Sequence, residues 1–325
     1  MGEAHLADEL EVALDEAVVA RLSRGEVPRE LLRQATIPEL LGYAAVEWLA
    51  MFACWAAMWA LPWWTWPVWG VLVAGRLHAL GVILHDAAHL PLRDKPLATQ
   101  ILEAMAGFPL MTTLNAMRYH HLRHHRDNGM PSDPYFKPGL RGRPWLYAVQ
   151  VLRGALLVTF WSTRPIVAVG ALLSARVRVA YARVYLQDKS TDDLAASREV
   201  LDCARADMVQ FAALGLVLSL AAVWPVGLVF GWYLPAIGSG LLAAWRLLQE
   251  HNYDRAVDRR VETILATTND HHLGSWLDRL VLAPRNIGYH VVHHIHPQVG
   301  LAHLPAVRDW WLRNHPDLYG ARDVG

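Results

Sequence analysis

The chain has 325 residues, of which 54% are hydrophobic and 18% are charged, and its 30 basic and 30 acidic side chains leave a formal net charge of zero. Charged residues make up about 25% of a typical soluble domain, and the apolar surplus here is concentrated in long runs, so the composition argues against a soluble protein. The zero net charge gives no indication of a nucleic-acid partner, and Cys54 and Cys203 are too few for a disulfide framework or a cysteine-based metal site.

The first 41 residues precede the first long apolar run. Their opening stretch, MGEAHLADELEVALDEAVVARL, is acidic and amphipathic. It lacks both the basic start and the apolar centre of a cleaved signal peptide. We expect residues 1–41 to form a cytoplasmic amphipathic segment.

Four apolar runs are long enough to cross a bilayer, whose core of about 30 Å needs about 20 residues of helix. The first pair is joined by PWWTWP and the second by WPVG, both without charge, so each pair is predicted to form a tight hairpin. Arginines and lysines lie before, between and after these hairpins. The positive-inside rule therefore predicts that both termini and the middle of the chain face the cytoplasm. The four predicted spans are residues 42–61, 66–84, 208–224 and 226–248.

The stretch between the hairpins is less regular. Arginines divide residues 144–185 into apolar runs of about ten residues, too short to span, and we predict helices lying in the interface plane. Residues 187–207 are polar and helical in pattern, with Ser190 or Thr191 as the expected N-cap. The fold class is thus all-α integral membrane, with four transmembrane helices as two hairpins, interfacial helices and a cytoplasmic helical cap.

The 17 histidines of the chain fall mostly into three tight groups, all on the predicted cytoplasmic side. In LHDAAH, His85 and His89 are four residues apart on a continuing helix, so both side chains should point from one face. RYHHLRHHRDN contains His121, His124 and His125 in the pattern H-x-x-H-H. The same pattern returns in GYHVVHHIHP, whose three histidines are His290, His293 and His294.

The repeated pattern indicates metal binding. Imidazole suits zinc, copper, iron and nickel, and four ligands saturate zinc, so eight or nine clustered histidines imply two metal ions. On a helix, one member of each adjacent pair can serve each of two neighbouring metals. His251 closes the fourth span beside Glu250, and an ionisable group at that depth is a functional candidate.

The remaining histidines receive lesser roles. His120 is an alternate ligand, His78 is expected to be buried and hydrogen-bonded, and His296 is a supporting residue. His271 and His272 are expected at the surface or as supporting residues. The acids available to orient imidazoles are Asp86, Asp127, Asp133, Glu250 and Asp254.

HDAAH, HHLRHH and HVVHH resemble, in order and position, the three histidine boxes of the membrane fatty-acid-desaturase superfamily, the diiron desaturases and hydroxylases that include carotenoid ketolases. The resemblance covers about residues 42–305, with 306–325 as a C-terminal cytoplasmic tail. Leu90 and Val292 depart from the usual pattern, and SDPYF is similar to the D-D-P-D-F of ketolases. The resemblance implies that the catalytic and metal-binding histidines are His85, His89, His121, His124, His125, His290, His293 and His294, that His251 is a further metal ligand, and that Asn286 contributes through water.

The resemblance also implies an activity. Two iron ions would use O2 as co-substrate to attack an unactivated C–H bond of a lipid or other apolar chain. The electrons would come from an external ferredoxin-like or cytochrome b5-like protein. The leading hypothesis is a fatty acyl desaturase in the inner or cytoplasmic membrane, with its metal site on the cytoplasmic side.

Three alternatives stay open. A carotenoid hydroxylase or ketolase, or another hydroxylase of an apolar chain, would use the same metal site. A histidine-rich metal transporter would need ligands within the spans, where the candidates are Glu47 and His78. A haem-binding electron carrier would need paired histidines on facing spans, which the sequence lacks.

Overall fold

The structure is a computed structural model that describes residues 26–90, 95–137, 139–140, 143–252, 261–271 and 275–319. Every regular element in these ranges is helical, and no strand occurs among them. Four helical stretches are long and apolar enough to cross a membrane, namely Ile37–Ala60, Trp63–Ala87, Arg198–Val223 and Pro225–Glu250. The predicted all-α class and the number of candidate spans are confirmed.

The α-helices run as follows in chain order: α1 Ile37–Ala60, α2 Trp66–Ala87, α3 Leu97–Ala106, α4 Leu114–Asp127, α5 Pro144–Arg153, α6 Leu157–Ser162, α7 Arg164–Leu173, α8 Ala175–Val184, α9 Arg198–Asp207, α10 Gln210–Val223, α11 Pro225–Leu228, α12 Leu234–Glu250, α13 Val261–Thr267, α14 His290–Ile295, α15 Leu304–Asn314 and α16 Pro316–Tyr319. Short 3₁₀ turns lie at Trp63–Thr65, Phe108–Leu110, Gly154–Leu156 and Pro284–Asn286, and π-helical turns at Val229–Tyr233 and Asp278–Leu282.

The helix α2 is the centre of the membrane part. It packs against α1 on one side and α12 on another, and 56% of its apolar window is buried, against 11% for the span that contains α10. The start of α1 is fixed by a capping box, in which Thr36 accepts from the Glu39 N–H and Glu39 accepts from the Thr36 N–H. Gly154 and Gly240 bring two backbones together, since a Cβ on Gly240 would lie 2.2 Å from the Gly154 carbonyl oxygen.

Residues 144–185 form four short α-helices, α5 to α8, and their location in the interface plane stays a prediction. Pro144–Ser162 and Arg164–Leu173 meet at a bend of 56°, and together they are long and apolar enough to form a fifth, broken span. The predicted N-cap further along was wrong. The helix there begins only at Arg198, where the Ser197 side chain accepts from the Val200 N–H, because Ser190 is engaged by the Asp188 carboxylate at 2.7 Å.

A second core lies at the histidine end of the molecule. It joins α13, α14 and α15 with Val27, and Trp311 of α15 is fully buried in it. A third core packs α4 against α7, α8 and α9. These two cores hold the helices that carry the second and third histidine groups.

Candidate metal centre

The histidine groups lie at the ends of three elements. His85 is in the last turn of α2, and His89 lies in the turn that follows, because α2 ends at Ala87. The ring of His89 nonetheless lies 5.8 Å from that of His85. The second group occupies the last two turns of α4, whose N-cap Thr113 accepts from the Ala116 N–H, and the third forms most of α14. His251 directly follows α12.

The nine predicted ligands converge into two groups. In each, one ligand atom per residue lies within 4.8 Å of the others. The adjacent pairs His124/His125 and His293/His294 each send one ring to each group, as predicted for α4. The five-histidine group is His85, His89, His121, His125 and His293, and the four-histidine group is His124, His251, His290 and His294.

The ring nitrogens face one another at short range. In the five-histidine group, Nε2 of His121 lies 2.8 Å from Nε2 of His89 and 2.9 Å from Nε2 of His125. In the four-histidine group, Nε2 of His251 lies 3.0 Å from Nε2 of His124 and 3.2 Å from Nε2 of His290. A neutral imidazole carries one N–H, so these converging nitrogens cannot all be satisfied by hydrogen bonds to each other. A cation in each group would satisfy them.

The other ring nitrogen of several members supports this. Nδ1 is buried and makes no hydrogen bond within the described residues in His85, His121, His125, His290 and His293. A buried polar atom without a partner is unfavourable, and these rings keep their orientation despite it. The donor set, all imidazole and more than four ligands, fits two transition-metal ions better than one zinc ion.

Burial disfavours the charged form of most of these rings. It lowers the pKa of His89 and of His251 to about 4. Burial, followed by the proximity of other histidines, also lowers the pKa well below 6.5 in His121, His125, His290, His293 and His294. Neutral imidazoles offer a lone pair at physiological pH, so a metal ion need not displace protons to bind.

Asp133 orients a ring of the four-histidine group. Its Oδ1 accepts from Nδ1–H of His124 at 2.8 Å, which leaves Nε2 of that ring to face the group. The carboxylate also accepts from the N–H groups of Gly129 and Tyr135. Burial alone would raise the pKa of Asp133. His124 and these hydrogen bonds together lower it by more, so the pKa of Asp133 falls below its usual value. His251 is oriented in the same sense, because its Nδ1–H donates to the Leu247 carbonyl at 3.0 Å.

Glu250 is the second supporting acid. Its Oε1 lies 3.5 Å from Nδ1 of His290 and 3.3 Å from Nε2 of His271, and Arg246 pairs with the same carboxylate. His271 is therefore buried beside the centre as a supporting residue. Among the other predicted acids, Asp86 accepts from the Leu301 N–H and Asp127 pairs with Arg126, while Asp254 and His272 lie outside the described residues.

The remaining predicted residues lie outside both groups. Nδ1 of His120 is 2.6 Å from the Tyr135 hydroxyl. His78 is buried and donates to the Val281 carbonyl at 3.1 Å, as expected. His296 accepts from the indole N–H of Trp311 at 3.1 Å, a supporting contact. The side-chain amide of Asn286 donates to the Leu301 carbonyl at 3.2 Å.

Two residues beside the centre were not predicted from the sequence. The ring centre of Tyr135 lies 4.4 Å from that of His124, and its only signal was its place in SDPYF, after the second group. Trp311 of α15 supports His296. No periodic pattern links Trp311 to the histidines, so only the packing reveals it.

A scan of known protein families identifies a match. A family model described as fatty acid desaturase matches residues 61–323, a range that includes both histidine groups completely. A search of curated proteins finds no match.

Proposed function

Because this chain belongs to the fatty acid desaturase family, we propose that it is an O2-dependent diiron oxidoreductase that acts on an unactivated C–H bond of a lipid, with fatty acyl desaturation as the favoured activity. The family supports an oxidoreductase of the desaturase and hydroxylase type. The observation that carries the proposal is the division of nine histidines into a five-nitrogen and a four-nitrogen group.

In this proposal each histidine group holds one iron ion. The irons, when bound, supply the activation of O2. The protein fixes two of the imidazoles, His124 through Asp133 and His251 through Leu247. His89 and His125 are the two members that keep partial exposure, so O2 and substrate are proposed to approach from their side.

An apolar groove supports a lipid substrate. It has a volume of about 630 Å³, within the range of about 300–1,000 Å³ of small-molecule sites. The indole N–H groups of Trp48, Trp55 and Trp232 donate to the carbonyls of Met105, Gly231 and Pro109. These three indoles therefore offer no free donor to a ligand, and a hydrocarbon chain suits the groove.

One end of the groove adjoins α2, the helix that carries His85. Phe108 and Pro109 line this end. The next residue, Leu110, packs against Gly81 of α2, because a Cβ added to Gly81 would lie 3.1 Å from the Leu110 side chain. Gly81 precedes His85 by one turn of α2. We propose that the chain to be oxidised runs from this groove toward the five-histidine group.

The reaction needs partners that the chain does not supply. Desaturation removes two hydrogens from the lipid and, with two electrons and two protons from outside, reduces O2 to two waters. Hydroxylation inserts one oxygen atom and, with the same electrons and protons, gives one water. We propose a separate ferredoxin-like or cytochrome b5-like donor at the cytoplasmic face. The position of the chain relative to the irons decides between the two outcomes.

The described structure gives a metal transporter no support. Glu47, the one acid that was a candidate ligand within the spans, is paired with Arg76 and Arg285, and His78 donates to a backbone carbonyl.

The test is metal analysis of the purified protein and of a His124→Ala variant, with lipid and pigment analysis of a host that expresses each. We expect two irons per chain in the wild type, fewer in the variant, and a new acyl double bond that the variant does not form. His303→Ala, outside both groups, is the control and should keep both irons. An oxygenated product would favour the hydroxylase or ketolase alternative. One zinc per chain, unchanged in the variant, would refute the diiron proposal.

A further inference from the structure

Between His271 and the third histidine group, the chain returns alongside the spans. Here residues 275–287 are called the return segment. The Arg76 guanidinium donates to the Leu280 carbonyl, and His78 donates to that of Val281. A Cβ on Gly75 would lie 2.7 Å from the Leu280 oxygen, so the segment is pressed against α2. Arg76 precedes His85 by nine residues, or about 14 Å of helix, so the segment reaches well into the span depth.

Two large apolar side chains of the return segment are exposed. Trp276 is 72% exposed and Leu277 is 47% exposed. Large apolar side chains exposed next to one another are unfavourable in water. A segment that enters the membrane beside α2 and turns back would place them against lipid instead.

A buried ion triad fixes the end of this segment. Glu47 of α1 is 1% exposed, and it accepts from Arg76 and from Nε of Arg285, each at 2.8 Å. Arg285 also donates to the Tyr43 carbonyl at 3.3 Å, and its guanidinium carbon lies 4.7 Å from the centre of the Tyr43 ring. An isolated charge at this depth is strongly disfavoured, so the triad holds Arg285 in one place.

The backbone at this point is strained. Arg285 and Asn286 have φ of 57° and 63°, the left-handed region that non-glycine residues seldom adopt. Such conformations persist only where surrounding contacts enforce them. Glu47 holds the side chain of Arg285, and the Leu301 carbonyl holds that of Asn286. The two residues turn the chain out of the return segment and into α14.

We propose that Arg285, anchored by Glu47, is the positioning residue of the third histidine group. Arg285 belongs to neither ligand group, and it acts by fixing where α14 begins. The third group contributes His293 to the five-histidine group, but both His290 and His294 to the four-histidine group. Loosening α14 therefore leaves four histidines in one group and only two in the other. This assignment rests on the proposed metal centre.

The test is a Co²⁺ titration of the full-length protein in lipid nanodiscs, followed by the visible ligand-field absorbance. The wild type should bind two Co²⁺ per chain. Arg285→Gln and Glu47→Gln should each keep one tight site and weaken the other by about 10- to 100-fold. The double variant should lose no more than either single variant, because the two residues act as a unit. Arg279→Gln, which removes an exposed guanidinium from the same segment, should keep both sites.

Two results would overturn the assignment. One is an unchanged pair of Co²⁺ sites in Arg285→Gln. The other is an equal loss of both sites in a variant that stays folded, which would mean that Arg285 does not act through α14. If the glutamine variant does not fold, Arg285→Lys tests the same point, because lysine keeps the buried positive charge but lacks the planar guanidinium. The four-histidine group should again bind Co²⁺ more weakly than the five-histidine group. Wild-type Co²⁺ binding without any oxidised lipid would refute the proposed function and leave the role of Arg285 standing.

Discussion

Replacement of Asp133 by asparagine tests how the protein prepares the four-histidine group. The carboxylate is buried, and it accepts three hydrogen bonds, from Nδ1–H of His124, from the Tyr135 N–H and from the Gly129 N–H. Asparagine offers one oxygen and one NH2 group in the same volume. It cannot replace both carboxylate oxygens as acceptors.

Either orientation of the new amide is unfavourable. If its NH2 faces His124, Nδ1 must become the acceptor and the ring proton moves to Nε2, the atom that faces His251 at 3.0 Å. That ring then has no lone pair directed at the group. If the NH2 faces Gly129 instead, a buried N–H loses its acceptor, at about 1–3 kcal/mol. Loss of such a supporting partner typically weakens metal binding 10- to 100-fold, or about 1.4–2.7 kcal/mol at one site.

The assay is a metal titration against a chromophoric chelator, which resolves a tight and a weakened site in the same chain. Asp188→Asn is the control, because Asp188 is also buried but bonds Tyr119 and Ser190 rather than a histidine. We expect the Asp133 variant to weaken one site and the control to weaken neither. Equal weakening of both sites, or no change in either, would refute the argument that Asp133 acts through His124.

Three further predictions follow from the same geometry. His251→Ala leaves three histidines in its group and should lower bound metal by about one ion per chain in elemental analysis; two retained ions would contradict its role as the ninth ligand. The free energy of unfolding of the metal-free protein should decrease as the pH falls from 7 to 5. In the folded chain the pKa of His89 and His251 is about 4. Below pH 6.5 the unfolded chain therefore takes up protons at these histidines that the folded chain does not. Each of the two histidines should lower the free energy of unfolding by about 2 kcal/mol as the pH falls from 6.5 to 5. Denaturation midpoints that do not change with pH would contradict this. Ala213→Trp should fill part of the apolar groove and raise KM most for the longest acyl chains at unchanged metal content, and a KM that does not depend on chain length would argue against the groove as the substrate site.

Much of the metal centre could be predicted because its signals are local. The spacing of His121, His124 and His125 fixes which rings share a helix face, and the same spacing at His290 makes coincidence improbable. The apolar runs likewise predict helices long enough to span, since a bilayer demands that length. His251 was predicted from its position at the end of an apolar run, and it lies in the four-histidine group. The sidedness of the membrane and the hairpin arrangement remain predictions.

Other features depend on contacts that no local pattern encodes. The N-cap of α9 is Ser197 rather than the predicted Ser190, because the Ser190 hydroxyl donates to the Asp188 carboxylate. Residues 144–173 form a bent pair rather than clearly separate interfacial helices. Asp133 and Glu250 contact histidines while Asp86 and Asp127 have other partners, and the sequence offered no means of choosing among them.

The sequence alone was thus enough to predict that the histidines of this protein gather in three tight groups, in numbers suited to two metals. Only the tertiary structure decided which five and which four lie together, and that Arg285 of the return segment is paired with Glu47 of α1. The physical reason is that helix periodicity fixes the direction of a side chain from its near neighbours, whereas the meeting of His85 with His293 depends on how α2, α4 and α14 pack.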